Sequence, residues 1–427
     1  MATRSQGLRM VPGGGWEESR WPGLVLPGLC NLHSHAFQVL LTGRTQERGG
    51  GPGGAPDSFW TWRERMYALA SSLGPDELEK VGAWLYARML AHGFTHVVEF
   101  HYLHQGGAEM GAALLRAAKR VGMGITLLPV LYLHAGPGEE LAPRQAPFAL
   151  PGGVEGYLRV YEELASLVEP EADQVLGFAP HSLRAVAPEE LEEALRALLP
   201  NKPPIHIHIA EQRREVEEIQ AAYGAPPVRW LLENAPVDSS WCLVHATHLG
   251  AGERKDLAGS GATLGLCPST EADLGDGVFP LPEFLEEGGS FGIGTDGQVG
   301  LCPAQELRLL EFEQRLRLEE RNVLAGNRAP RTHVGRFLLE EALGGGRRAA
   351  GLGPPASERG SSDFILLDSG HPLLEGAGPD QVLDAWIFHL GAELVREVWK
   401  GDKCLVQEGR HALQEDLDRE IREVLRP

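Results

Sequence analysis

The feature that most constrains this chain is a rhythm of eight short apolar runs, each closed by polar residues and most of them followed by an amphipathic stretch. The runs cover residues 24–35, 96–102, 125–134, 174–182, 204–211, 242–248, 262–270 and 290–297. Between them, segments such as 75–93, 109–122, 188–200 and 227–236 carry apolar residues at three- and four-residue spacing, the signature of helices that bury one face. Strands that are apolar throughout must be covered on both sides, so their alternation with helices predicts a closed parallel barrel, the α/β (β/α)8 fold. The polar closures read HSH, EFHY, LH, PHS, HIAE, HATH, CPST and TDG. In such a barrel chemistry collects at the carboxyl ends of the strands, which is where these residues fall.

The remainder of the chain predicts a smaller companion. After Asp296 come two amphipathic segments, about 303–321 and 331–351, then short strand-like runs at 363–368 and 395–411 and a charged final helix. The expected layout is a short N-terminal part of a small β-sandwich domain (1–23), the barrel (24–357), and the C-terminal part of that domain with the last helix (358–427). Built from both termini, this companion joins a barrel of TIM type.

Charge and cysteine usage exclude several functions. A formal charge of −20 repels phosphate backbones and anionic lipid, so neither nucleic acid nor membrane is an expected partner. The chain lacks the roughly 20-residue apolar run of a membrane span and an apolar signal core at its start, which predicts a cytoplasmic protein. Its five scattered cysteines form no CxxC motif and support neither a disulfide framework nor a thiolate zinc site. Of 16 histidines, 12 occur by position 248, many at the end of an apolar run.

Those histidines carry the chemistry. His33 and His35 are two apart in an extended segment, so they face the same way and can chelate one ion. His208, His245 and Asp296 close three further runs and point to the same mouth. A nitrogen-rich set with one carboxylate suits zinc or iron with a position open for water, whose pKa the ion lowers. Glu211, just past His208, is placed to shuttle a proton without binding metal, which C–N hydrolysis requires because an amine anion is too basic to leave.

The segments PGLCNLHSHAFQ, HIHIAEQ, CLVHATH and GIGTDG resemble the amidohydrolase superfamily. DSFWTWRERMY, VVEFHYLHQ, APHSLRAV, NAPVDSSWCLVHATH and GLCPSTEADLGDGVFP extend the likeness to its formimidoylglutamate deiminases over nearly the whole chain. That resemblance implies zinc-dependent deimination of N-formimidoyl-L-glutamate to N-formyl-L-glutamate and ammonia in histidine catabolism. It makes His33, His35, His208 and Asp296 the ligands of one Zn2+ per chain, with Fe2+ as the alternative ion, and assigns Glu211, His245 and Asp296 to catalysis. Binuclear relatives often use a carboxylated lysine as a bridge, and no barrel strand here ends in lysine. Arg63, Tyr102, His181 and Arg184 are implied to hold a dicarboxylate substrate, which arginine pairs bidentately. A homodimer is the expected assembly. Two alternatives stand beside this reading: a deaminase of an aminated ring of guanine or adenosine type, and a catalytically silent barrel acting as an assembly subunit.

The chain departs from the family pattern in two places. Gly297 and Gln298 follow Asp296 where relatives usually carry Ser-His, and the stretch before the barrel is short. Among the remaining candidates, His92, His96, His104 and His134 read as packing or helix-end residues, and His371, His389 and His411 as tail residues without catalytic role. Cys267 reads as a small buried hydrophobe, Trp60 and Trp62 as core and loop anchors, and Glu99 as support behind the ligands.

Overall fold

The chain begins with an antiparallel hairpin, β1 (Gly7–Val11) and β2 (Gly15–Ser19). The run at 24–35, expected as one barrel strand, is two strands: β3 (Leu24–Pro27) and β4 (Leu29–Ser34). Between them a side chain at Gly28 would come within 2.1 Å of the Thr95 hydroxyl, so only glycine lets the backbone pass there and change sheets. The computed structural model describes residues 7–11, 15–47, 58–325, 332–353 and 363–426, and the domain boundary expected after residue 357 lies outside them.

From β4 the barrel proceeds through β5 (Phe94–His101), β6 (Gly124–Leu131), β7 (Gln174–Leu176) with its continuation β8 (Ala179–Pro180), β9 (Ile205–Ile209), β10 (Trp241–His245), β11 (Thr263–Leu266) and β12 (Ser290–Ile293). All neighbouring barrel strands are parallel. Every residue of β5, β6, β9 and β10 is buried, as continuous apolar runs require. Two arcs, β4-β5-β6-β7 and β12-β11-β10-β9, meet at two parallel bridges, Phe178 with Ile205 and Ser34 with Asp296. The second bridge decides the chemistry, because it sets Asp296 beside the His33–His35 segment.

The expected helices form where the periodicity placed them, for example Pro75–His92, which starts on a proline and stops at Gly93 with φ +110°. One boundary differs in a way that matters for the site. The run at 262–270 ends as a strand at Leu266, and Pro268 opens the helix Pro268–Leu274. Proline lacks the amide a continuing strand would need but suits a first helical turn.

The termini build one seven-stranded sheet. β3 pairs in parallel with β1 and antiparallel with β13 (Asp363–Leu367), and the sheet continues through β14 (Val395–Lys400), β15 (Lys403–Gln407) and β16 (Arg410–His411). It is tied to the barrel by Lys400, whose ammonium reaches the Thr95 carbonyl at 3.1 Å and the carboxylates of Asp173 and Asp363. The last helix, Gln414–Val424, docks on Pro75–His92, where Trp84 donates to Asp418 at 2.8 Å. Among the described residues no helix is long and apolar enough to cross a membrane.

Candidate metal centre and substrate mouth

Strand periodicity turns His33 and His35 to one face of β4, and the seam with β12 and the end of β9 bring Asp296 and His208 to them. The Nε2 atoms of His33 and His35 are 3.1 Å apart, and that of His208 is 2.9 Å from that of His33. Asp296 Oδ1 lies 3.1 Å from His35 Nε2 and 3.5 Å from His33 Nε2. Two nitrogens bound tetrahedrally to one zinc sit about 3.3 Å apart, so the spacing is that of a coordination shell.

Protonation supports the same conclusion. His35 donates its Nδ1 proton to the Phe100 carbonyl at 2.8 Å, which leaves a lone pair on Nε2. Burial pushes His33 down to about 3 and His208 well below the usual histidine range, so both rings are neutral. Lone pairs facing one another beside a carboxylate repel unless a cation lies between them. The four residues are all buried, and they fit a divalent ion of borderline softness.

Beside this cage stand the groups able to move protons. His245 ends β10 with φ +70°, and Asp296 has φ +42°; side chains rarely adopt this left-handed backbone, and it concentrates here at the site. His245 Nε2 lies 3.7 Å from both Glu211 and Asp296, while its Nδ1 is 3.0 Å from Glu271. Burial works against charge on His245, yet Glu211, Glu271 and Asp296 raise its pKa well above normal. Glu211 is pushed up to about 7, first by burial, which keeps a proton available near neutrality. Its backbone amide donates to Glu215, which also accepts the Ala210 amide.

The four substrate residues expected from the sequence lie on the other flank. His181 packs 5.0 Å from the His208 ring and 4.5 Å from Tyr132, and Tyr102 lies 4.9 Å from His35. Arg63 and Arg184 are both buried, on a helix and on the loop after β8. Arg63 donates to the Tyr132 hydroxyl at 2.6 Å, and Gln145 donates to the same oxygen at 2.9 Å. Arg184 Nε has no hydrogen-bond partner among the described residues. Trp60, expected as an anchor, is instead a stacking platform: the guanidinium carbons of Arg214, Arg184 and Arg63 lie 4.2, 5.5 and 5.7 Å from its ring centre.

Several supporting residues escaped sequence reading. Tyr132 sits in the run at 125–134, whose polar end draws the eye to His134; that histidine instead pairs with Glu190 at 2.9 Å. Gln145, Glu271 and Asp276 carry no spacing signal. Glu99 does lie behind the ligands, accepting from the Ala36 amide at 2.6 Å and from Ser34 at 2.8 Å, with burial raising it to about 7. His92 and His104 bond the carbonyls of Leu301 and Val130, and His96 meets the Thr126 hydroxyl, as packing residues do. Burial pushes the Cys267 thiol far up, which makes it unreactive.

Comparison with known proteins agrees with this geometry. The sequence model of the Amidohydrolase family matches residues 24–331. Formimidoylglutamate deiminase of Pseudomonas aeruginosa is 45% identical over 417 residues, covering 95% of this chain and 90% of that protein. The crystal structure of an amidohydrolase from Brucella melitensis superposes with a TM-score of 0.90 at 40% identity, covering 98% of each chain. An adenosine deaminase from Xanthomonas campestris, solved with bound zinc, shares the fold at a TM-score of 0.76 and 21% identity, covering 94% of this chain and 85% of that one. A closed barrel with a buried His-His-His-Asp cage, matched by the family over most of its length, belongs to the amidohydrolase family.

Proposed function

We propose that this chain hydrolyses N-formimidoyl-L-glutamate to N-formyl-L-glutamate and ammonia, as a homodimer in the cytoplasm, with one zinc ion held by His33, His35, His208 and Asp296. Iron is the other ion this donor set suits. The observation that carries the reading is the pair of buried guanidiniums, Arg63 and Arg184, set around one tryptophan ring on the flank of the cage. An acidic chain of charge −20 concentrates positive charge there, as binding a dicarboxylate demands. The 45% identical relative bears the name of this activity. Five free cysteines, four of them buried, suit a reducing compartment.

A bound divalent ion supplies Lewis acidity and a water that ionises near neutral pH. The protein's residues do the rest. Arg63, Arg184, Tyr102 and His181 fix the glutamate part so that the formimidoyl carbon faces the cage. Asp296 takes a proton as water oxygen adds to that carbon, and His245 orients the attack. Glu211 delivers a proton to the terminal nitrogen and takes up the proton of the added hydroxyl as the C=O bond forms, the C–N bond breaks, and nitrogen leaves as ammonia.

Ammonia release is the test, with N-formimidoyl-L-glutamate, N-formimidoyl-L-aspartate and guanine as substrates and metal content measured in parallel. The reading expects turnover of the first, weaker turnover of the second and none of the third, with about one zinc per chain. Turnover of guanine above that of the amidine would replace it with a ring deaminase. Sedimentation of the purified chain checks the dimer.

A further inference from the structure

Asp276 has no part in the reaction as written above, yet it stands in the same mouth. It follows the helix Pro268–Leu274 in a turn between Gly275 (φ +71°) and Gly277 (φ +129°), and its amide donates to the Glu271 carbonyl at 2.9 Å. The side chain is only 4% exposed. Gln212 donates to its Oδ1, while Oδ2 has no hydrogen-bond partner among the described residues. A carboxylate oxygen of Asp276, one of Glu211 and a ring nitrogen of His245 all lie within 4.8 Å of one another.

A buried carboxylate oxygen without a donor, next to a second carboxylate, is unfavourable unless a ligand brings N–H groups and positive charge. Burial and the neighbouring Glu211 charge, against the opposing pull of His245, push Asp276 up to about 9, so it keeps its proton until a cationic ligand with N–H donors ionises it. Glu211 is the group that delivers a proton to the departing nitrogen, so what lies beside it is the nitrogen end of the substrate. In a formimidoyl compound that end is an amidinium: positively charged at neutral pH and bearing N–H donors. A neutral amide or a ring amine offers no such charge.

We propose that Asp276 binds the terminal N–H groups of a cationic amidine and makes this mouth selective for amidinium over neutral C–N groups. The proposal rests on the deiminase reading and specifies which end of the substrate is recognised by charge. Arg63 and Arg184 read the two carboxylates, and Asp276 reads the opposite pole. Such division of labour gives specificity because each buried charge is left unpaired by a ligand lacking its complement.

The test compares the zinc-loaded protein with its Asp276→Asn and Asp276→Ala variants. Asn keeps the shape and can still meet Gln212, so it separates charge from packing. Calorimetry measures binding of two ligands with the same dicarboxylate half: N-amidino-L-glutamate, whose other end is a guanidinium, and N-formyl-L-glutamate, whose other end is an uncharged formamide. The expected result is that Asp276→Asn weakens the guanidinium ligand by about tenfold or more and the formamide one by less than about twofold. KM for N-formimidoyl-L-glutamate should rise with the first figure, with zinc content unchanged. Equal losses for both ligands, or no loss for either, overturn the assignment. So does a second zinc ion that binds the wild type and is lost in Asp276→Asn while ligand preference stays the same. Because binding is read without turnover, a wild type that releases no ammonia sinks the deiminase reading itself, whereas an unchanged ligand preference in an active enzyme sinks only the role of Asp276.

Discussion

His245 Nδ1 lies 3.0 Å from Glu271 Oε1, and the same oxygen accepts the Cys267 amide at 2.9 Å. The helix Pro268–Leu274 thereby fixes the imidazole through its first turn. With Nδ1–H given to Glu271, the other ring nitrogen is directed at Glu211 and Asp296. Replacing Glu271 with Gln removes one of the three carboxylate charges, with Glu211 and Asp296, that hold His245 protonated. We expect kcat to fall by about 10- to 100-fold with zinc content and KM little changed. An unaltered kcat in steady-state assays would show that His245 needs no such partner.

Glu211 is assigned the proton delivery, and the Gln variant preserves its shape. Turnover of N-formimidoyl-L-glutamate should be lost by a factor on the order of a thousand or more while metal analysis still finds the ion. Activity near that of the wild type would move the shuttle to another residue.

Arg184 and Arg63 should differ in how their loss is felt. Arg184 has a guanidinium nitrogen without a partner among the described residues, whereas Arg63 is braced by Tyr132, whose hydroxyl Gln145 holds in turn. Arg184→Ala is expected to raise KM by about 30- to 1000-fold, the cost of leaving a substrate carboxylate unpaired in a buried site. Tyr132→Phe should raise it by a smaller factor, about tenfold or less, because it only loosens Arg63. Kinetics unchanged in Arg184→Ala would favour a ring-amine substrate.

Gln298 is spent on the barrel seam. It accepts from Thr295 Oγ1 at 2.7 Å and donates to Ser34 Oγ at 3.0 Å and to the Asp296 carbonyl at 2.7 Å. Gln298→Leu should destabilise the fold by about 1–3 kcal/mol through stranded polar groups and weaken metal retention. Urea unfolding and metal release under a chelator measure both; a loss of substrate affinity with neither effect would contradict this seam role.

Acid should loosen the joint between barrel and terminal sheet. Burial alone would raise Asp173, but His96 and Lys400 outweigh it and hold its carboxyl well below the usual range. A group depressed in the folded state adds stability that is complete above its unfolded pKa, about 3.9, and disappears as pH falls further. Asp173→Asn should therefore be less stable than the wild type at pH 7, and the gap should close as pH drops below about 4. Denaturant midpoints across that range check the sign; a gap that widens in acid would refute it.

Residue order alone was enough for the barrel, the helices around it and a set of five metal candidates, from which the family resemblance set His245 apart; the cause of the first three is geometric. A strand alternates its side chains with period two, so His33 and His35 must share a face, and strand ends in a closed parallel barrel must share a mouth. Tertiary packing decided the rest. The split of the 24–35 run depends on Thr95 crowding Gly28. Glu271 reaches His245 only because Pro268 turns the chain into a helix. Arg63 meets Tyr132 across 69 residues, and Trp60 gathers arginines from three separate segments. Asp276 comes beside Glu211 through a glycine-flanked turn. Such contacts join side chains on loops and helix starts, whose directions follow from what they pack against. No local repeat in the sequence encodes them.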